Sequence, residues 1–319
     1  MTGTITMPVS LAFLFIAAGL AMLVTGGEVL VSGATTLAKR SGISTLVIGL
    51  TVVAFGTSVP ELFVSLTASL QGHPDLMIGN VVGSNIANIG LILGFSALLV
   101  PLHLTLSEVW MELILVIGGS VVLIFCTSLG YFPRSIGFIF ILALVSYTYF
   151  AFTNKKNNNC EELNREKEKG AQPSLMIPLL LVVGGLVFLS GGSNIFIKGA
   201  ADLARYFGVS ELVIGLTLAA VGTSLPELAS SISAIRRNES GLLIGNVIGS
   251  NMFNLFMVLG LTGIIMPFHL SPELLRRDLP VMIAFTLILV PILRTNGGTR
   301  RWHGLLFLIS FAAYYCMLL

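Results

Sequence analysis

LVIGLTVVAFGTSVPEL at residues 46–62 returns as LVIGLTLAAVGTSLPEL at residues 212–228. A second stretch, IGNVVGSNIANIGLILG at 78–94, returns as IGNVIGSNMFNLFMVLG at 244–260. Both copies are displaced by 166 positions, with 13 of 17 positions identical in the first pair and 10 of 17 in the second, so the chain is an internal duplication. Each copy plants one carboxylate, Glu61 or Glu227, in a stretch otherwise apolar enough for lipid. Paired acids at duplicated breaks in apolar helices point to a cation site at the centre of a transporter.

A mean hydropathy of +0.95 and only 10% charged residues exclude an ordinary soluble domain, for which about 25% charged is usual. Apolar runs of about 20 residues, long enough to cross a hydrocarbon core of about 30 Å, recur along the whole chain. A polytopic membrane protein is therefore expected. The net charge of +2 is no pointer to nucleic acid, because in such a protein the distribution of charge over the loops matters more than its sum. Cys126, Cys160 and Cys316 lack metal-ligand spacing and read as apolar fillers, with Cys160 a loop thiol. The N-terminal run MTGTITMPVSLAFLFIAAGL has no basic segment ahead of it, so it reads as a span rather than a cleaved signal.

The expected fold is all-α, with ten transmembrane helices at about 9–37, 44–70, 76–100, 108–128, 134–152, 175–203, 210–234, 241–266, 278–294 and 302–318. Five spans separate the start of one repeat from the start of the next. Five is odd, so the halves enter the membrane from opposite sides and form an inverted repeat. Residues 1–153 make the first repeat and 174–319 the second, joined by the polar stretch NKKNNNCEELNREKEKGAQP at 154–173, too charged to bury. With the N-terminus outside, Lys39, Arg40, the five linker cations, Arg236, Arg237, Arg294, Arg300 and Arg301 fall inside, 12 of the 17. The positive-inside rule favours this arrangement, which puts both termini outside and the linker in the cytoplasm, in a plasma membrane.

Pro60 has no N–H, and its ring clashes with the carbonyl four residues back, at Gly56. The helix must open there and free carbonyl oxygens around Gly56 and Thr57. In hydrocarbon such groups persist only when buried by protein or facing a hydrated cavity, and a cation would satisfy them. Thr57 and Ser58 precede Glu61 by four and three residues, so all three offer oxygens to about one helix face. Gly222-Thr223-Ser224-Leu225-Pro226-Glu227 repeats every feature. Asn80, Ser84 and Asn88, spaced by four, make a polar stripe that Asn246, Ser250 and Asn254 repeat. No thiolate or imidazole falls in these motifs. All-oxygen ligation suits hard cations, and two bidentate glutamates with two carbonyls would supply about six of the 6–8 oxygens Ca²⁺ takes. For the serines of the stripes, interhelical hydrogen bonding without a ligand is the competing reading. Glu28 and Glu112 are read as unmatched in the other half and hence interfacial or structural. Asp202 and Glu211 are read as solvated beside an outer loop, and His73, His103, His269 and His303 as span-end residues outside any metal cluster.

At these motifs the sequence resembles the cation/calcium antiporter superfamily, and specifically its sodium/calcium exchanger branch of prokaryotic type. The paired repeats GTSVPE…GNVVGSNIAN and GTSLPE…GNVIGSNMFN carry the resemblance, which covers nearly the whole chain. It implies ten helices in two inverted halves around four central cation positions. It also implies Glu61 and Glu227 as the main Ca²⁺ ligands, joined by the carbonyls of Thr57 and Thr223. Ser58, Ser224, Ser84 and Ser250, with backbone oxygens of Ala54 and Ala220, would complete the Na⁺ positions, and Asn88 and Asn254 would occupy the middle one. Potassium-dependent relatives place Asp in that region, so asparagine in both halves argues against potassium coupling. The proton/calcium branch reads GNxxE where this chain has GNVVG and GNVIG, so its extra acid is missing.

The expected function is a secondary antiporter that exchanges Na⁺ for Ca²⁺ by alternating access. It would have no enzymatic activity and no cofactor, with Ca²⁺, Na⁺ and lipid as its partners, and it would act as a monomer. The alternatives are an H⁺/Ca²⁺ antiporter, marked by sodium-independent flux, and a K⁺-dependent exchanger. An intramembrane hydrolase using the acids as a dyad would need them to share a proton at about 3 Å; the Ser/Thr/Asn surroundings suit ion coordination better. A passive channel fits the composition, but not inverted repeats with broken central helices.

Overall fold

The computed structural model describes residues 7–102, 105–154, 174–209, 220–294 and 298–318. The helices are α1 (Val9–Ser41), α2 (Thr45–Leu70), α3 (Pro74–Leu99), α4 (Leu106–Ser128) and α5 (Arg134–Asn154) in the first half. The second half holds α6 (Met176–Tyr206), α7 (Ala220–Thr223 and Leu225–Arg236), α8 (Ser240–Ile265), α9 (Asp278–Arg294) and α10 (Arg301–Leu318). Of these, α1 to α6 and α8 are each long and apolar enough to cross a membrane. The protein is thus an all-α polytopic membrane protein of two inverted five-helix repeats. The expected span at 210–234 begins in residues 210–219, outside the described set.

Helix boundaries follow local chemistry. α1 runs four residues past its expected end and stops at Gly42, whose φ of 67° only glycine adopts without penalty. α2 opens after Ser44, whose hydroxyl accepts the Val47 N–H at 3.3 Å. α4 opens on a capping box in which Thr105 and Glu108 satisfy each other's backbone N–H groups.

Burial separates a centre from a periphery. α8 is buried along its whole apolar window and α3 over 78% of it, whereas α1 and α6 are buried over only 22% and 33%. α2, α3, α7 and α8 therefore form the core, and α1 and α6 lie together as a pair on its outside. That pair is held by glycines. Gly19, Gly26 and Gly33 face α6, and their counterparts 166 positions on, Gly185, Gly192 and Gly199, face α1. A Cβ at Gly26 would sit 2.9 Å from the Leu189 nitrogen, and one at Gly185 would sit 2.6 Å from that of Leu30. The two backbones touch, as small residues allow where lipid offers no hydrophobic drive.

One contact is built twice, once on each face. The loop after α8 pairs with the loop after α4 as antiparallel strands β1 (Tyr131–Phe132) and β2 (Phe268–His269), in the register Phe132↔Phe268. Leu102, the repeat counterpart of Phe268, receives the Thr299 N–H at 2.9 Å and donates its own to Thr299 Oγ1 at 3.0 Å. Each half thus braces the other at the end of its third helix.

Two expectations about acids are corrected. Glu112 has a counterpart: Asp278 lies 166 positions on, and each acid accepts a tyrosine hydroxyl from the next helix, Tyr147 on Glu112 at 2.5 Å and Tyr314 on Asp278 at 2.9 Å. The match escapes a scan for identical residues because Glu and Asp exchange. Asp202 is buried rather than solvated, only 2% exposed, because Arg205 one turn on pairs with it at 2.6 Å. Glu211 lies outside the described residues.

Candidate functional site

Both core helices α2 and α7 break where proline dictates. The run Ala54–Thr57 ends at Ser58, with φ −83° and ψ −1°, and a new helix starts at Val59 with Pro60 in its first turn. Ser224 repeats the geometry, φ −86° and ψ 3°, ahead of Pro226. The Leu62 N–H returns to Ser58 and that of Leu228 to Ser224, while among the described residues no backbone N–H reaches the Thr57 carbonyl. Glu61 and Glu227 sit in the first turns of the restarted helices. There the helix dipoles favour negative charge.

The neighbouring helices carry a feature that spacing did not reveal. α3 widens into a π-helical turn at Asn88–Leu93 and α8 into one at Asn254–Leu259, at matched positions, and α2 has another at Gly49–Val53. A π turn breaks the regular carbonyl pairing and recurs at functional sites. It depends on how α3 and α8 are wedged among their neighbours, so the sequence carries no proline or cap to announce it. The nearest signal is that each matched turn opens on the last Asn of its motif and is followed by glycine, Gly94 or Gly260.

All the side chains expected at the site fall in this core. Ser58, Glu61, Ser84, Asn88, Glu227, Ser250 and Asn254 are fully buried, Thr57 and Ser224 are within 1% of it, and Thr223 is 8% exposed. Ala54 is fully buried too, and Ala220 opens the α7 segment that ends at Thr223. The hydroxyls of Ser58, Ser84 and Ser224, both oxygens of Glu61 and of Glu227, Oδ1 of Asn88 and the whole Asn254 amide have no hydrogen-bond partner among the described protein groups. The Thr223 hydroxyl neighbours Glu61, and those of Thr57 and Ser250 neighbour Glu227, without closing hydrogen bonds to the carboxylates. Native interiors leave few buried polar atoms unpaired. So many in the core that holds the two acids mark it as the candidate site.

Other polar residues of the motifs hold the frame instead. Thr57 donates to Asn246 Oδ1 at 3.1 Å, and its repeat counterpart Thr223 donates to Asn80 Oδ1 at 3.3 Å, so each broken helix is tied to the polar stripe of the other half. Asn80 passes its amide N–H groups to Ser65 and to the Glu61 carbonyl, and Asn246 donates to Ser230. Each polar atom of these two amides has a partner, which leaves Ser84, Asn88 and Asn254 as the open members of the stripes. Ser250 lies 3.3 Å from the Thr57 hydroxyl and is shared between frame and site. The Ala54 carbonyl already accepts the Ser58 N–H at 3.0 Å, so it has less to offer a guest than the carboxylates do. Asn251 escaped the sequence reading: it accepts Asn88 Nδ2 at 3.0 Å and leaves Oδ1 as the free end of that amide. Its second position in the repeated Ser-Asn pair was the available signal.

A cavity of about 490 Å³ leads from the face where α3 and α9 begin down to Asn80, past Asp75, Gly79, Arg277, Asp278 and Tyr314. A second, of about 500 Å³, opens on the other face beside Ser44, Glu112 and Tyr147, and no residue of α8 lines it. Among the described residues, the first of these cavities is lined by a member of the polar stripes, Asn80, and the second is not.

The family model for the sodium/calcium exchanger protein matches residues 11–153 and 177–319, both halves of the chain. The chain belongs to the sodium/calcium exchanger family. It is 34% identical to the sodium/calcium exchanger MaX1 of Methanosarcina acetivorans over 97% of this chain and 99% of that one. It is 36% identical to the inner membrane protein YrbG of Escherichia coli over 97% of each. Its fold superposes on the sodium-calcium exchanger NCX_Mj with a TM-score of 0.84 at 31% identity, covering 98% of this chain and all of the other.

Proposed function

We infer that the chain is a secondary antiporter that exchanges Na⁺ for Ca²⁺ across the membrane by alternating access. The observation that carries this reading is the set of buried, unpartnered oxygens around Glu61 and Glu227. All the ligands are oxygens, as hard cations require, and two carboxylates balance one divalent ion or two monovalent ones. Glu61 and Glu227 would hold Ca²⁺ with the Thr57 and Thr223 carbonyls. Ser58, Ser224, Ser84 and Ser250, with backbone oxygens of Ala54 and Ala220, would serve Na⁺, and Asn88 and Asn254 would line the middle position. Na⁺ and Ca²⁺ would compete for overlapping oxygens, and filling the site with either would neutralise the acids and release the core to change its access. No step makes or breaks a covalent bond, and the site needs no resident cofactor. Every proposed ligand comes from one chain, so a monomer suffices. Residues 1–153 and 174–319 are the two moving halves.

Reconstituted protein should accumulate ⁴⁵Ca²⁺ against an imposed Na⁺ gradient; uptake driven only by a proton gradient would establish the H⁺/Ca²⁺ alternative. With Asn88 and Asn254 neutral, uptake should proceed without K⁺ and be electrogenic. Three Na⁺ on two ionised glutamates leave about one net positive charge, whereas one Ca²⁺ leaves none. Each net charge moved is worth about 2.3 kcal/mol per 100 mV. Uptake at clamped potentials, with and without K⁺, checks both points: voltage-independent flux would refute three-for-one exchange, and a strict K⁺ requirement would place the chain with the potassium-dependent exchangers.

The inferred orientation in the cell membrane places both termini outside and the 154–173 linker in the cytoplasm. A cysteine placed in that linker, in a background lacking Cys160, should then react with impermeant thiol reagents only from the cytoplasmic side. Labelling from outside intact cells would reverse the orientation.

A further inference from the structure

The two halves are alike in sequence but not in contact. α1 packs on the second segment of α7 through Gly27, where a Cβ would lie 2.6 Å from Ser233 Oγ and 2.8 Å from the Ala229 carbonyl oxygen. The matching surface of α2 is uncovered. Phe63 and Val64, counterparts of Ala229 and Ser230, are 65% and 39% exposed, whereas Ser230 is 2% exposed. So α1 is seated on the second segment of α7, while its counterpart α6 meets α2 only at the first segment, where Leu186 lies over Gly56, and not at the second. Inverted repeats exchange their conformations when access switches. In the opposite state α6 therefore sits on α2, and α1 leaves α7.

An ion pair spans the contact that must part. Glu28 of α1 meets Arg236 at 3.2 Å and Arg237 at 3.0 Å, at the end of α7. The other half cannot build it. The repeat places Asn194 where Glu28 stands, and Leu70 and Gln71 where Arg236 and Arg237 stand. Asn194 spends its amide on the Ser190 carbonyl of its own helix. The pair lies on the face where α1 ends and α6 begins, joined there by Arg40 bonding to the Ser174 carbonyl. On that face the cavity is lined by no residue of α8, while the cavity on the opposite face is lined by Asn80 of α3, the counterpart of α8.

We propose that Glu28, Arg236 and Arg237 are residues of the transport cycle that touch no ion: a one-sided latch that closes the face bearing the 154–173 linker and must open in every turnover. Sequence duplication gives two access states of similar construction, and the latch makes them unequal. The protein rests with its site open to the face opposite the linker. Because all three side chains are partly exposed, at 29%, 63% and 40%, the bias is modest: such pairs shift an equilibrium by about two- to fivefold.

The inference rests on the antiport reading, and one experiment separates the two. Half-saturating Ca²⁺ is measured from each face of oriented vesicles, and the ratio of the two values reports the balance of access states, since apparent affinity scales with the competent fraction. Glu28→Gln should shift the ratio about two- to fivefold toward tighter binding at the linker face. Exchanging the charges, Glu28→Arg with Arg236→Glu and Arg237→Glu, should restore it. Building the missing counterpart, Asn194→Glu with Gln71→Arg, should stabilise the state in which α6 sits on the second segment of α2. It should therefore also shift the ratio toward tighter binding at the linker face, and it does not depend on Glu28→Gln folding. A merely structural role would weaken both faces together. An unchanged ratio in Glu28→Gln and in the Asn194 variant, or parallel losses at both faces, would overturn the latch. Absence of Na⁺-driven Ca²⁺ flux in the unmodified protein would instead overturn the antiport reading.

Discussion

Glu61→Gln and Glu227→Gln will each abolish Ca²⁺ transport while leaving a folded protein. Both carboxylates are fully buried with no hydrogen-bond partner among the described residues, so the described fold does not lean on their charge. Glutamine keeps the shape and removes one unit of charge. At about 4 Å and an effective dielectric of about 20, one unit of charge attraction is worth on the order of 4 kcal/mol, about a thousandfold in affinity, and a divalent ion loses more. Size-exclusion profiles and thermal stability should match the unmodified protein, while ⁴⁵Ca²⁺ uptake falls to background. Flux near the starting level in either variant would remove these acids from the site.

A single methyl group at Gly245 will prevent folding, and the same change at Gly79, its repeat counterpart, will be tolerated. A Cβ at Gly245 would fall against the Leu46 carbonyl oxygen, 2.8 Å from the Leu50 nitrogen and 3.0 Å from the Gly49 Cα, all backbone atoms that cannot step aside. Overpacking ordinarily costs about 1–3 kcal/mol, and forcing α8 off α2 exceeds that. A Cβ at Gly79 meets nothing within 4 Å, and alanine gains up to about 1 kcal/mol in helix propensity. Gly245→Ala should yield aggregated or much less thermostable protein in detergent, and Gly79→Ala a monodisperse peak. Equal behaviour of the two would contradict the packing of α8 on α2.

Much of the site was written in local sequence. Pro60 and Pro226 force helix breaks wherever they stand in an apolar span, because a missing N–H and a ring clash act within one turn. Glu61 and Glu227 announce themselves because an acid in such a span needs a partner. Ten spans and an odd count between repeats sufficed for the inverted architecture. The same reading treated Asn80 and Asn246 as equal to the open members of their stripes. Only the structure shows their amides consumed by Ser65, Ser230 and the threonines of the opposite half. The π turns at Asn88 and Asn254 were likewise out of reach, since they answer to neighbours distant in the chain.

What the sequence determined by itself is therefore the symmetric part: duplication, helix number, breaks, and the kinds of atom brought to the centre. These depend on interactions within a few residues or on the solvent a segment prefers. The tertiary structure decided the asymmetric part. Gly79 and Gly245 occupy the same place in one motif, yet one faces open space and the other a backbone. Ser84 is unpartnered where Ser250 meets Thr57, and α1 is seated on the second segment of α7 while α6 stands off the second segment of α2. An inverted repeat holds its halves in different conformations whenever its site is open to one face, so two nearly identical segments meet different surroundings. No local pattern encodes which half takes which conformation; that is settled by packing across the whole bundle.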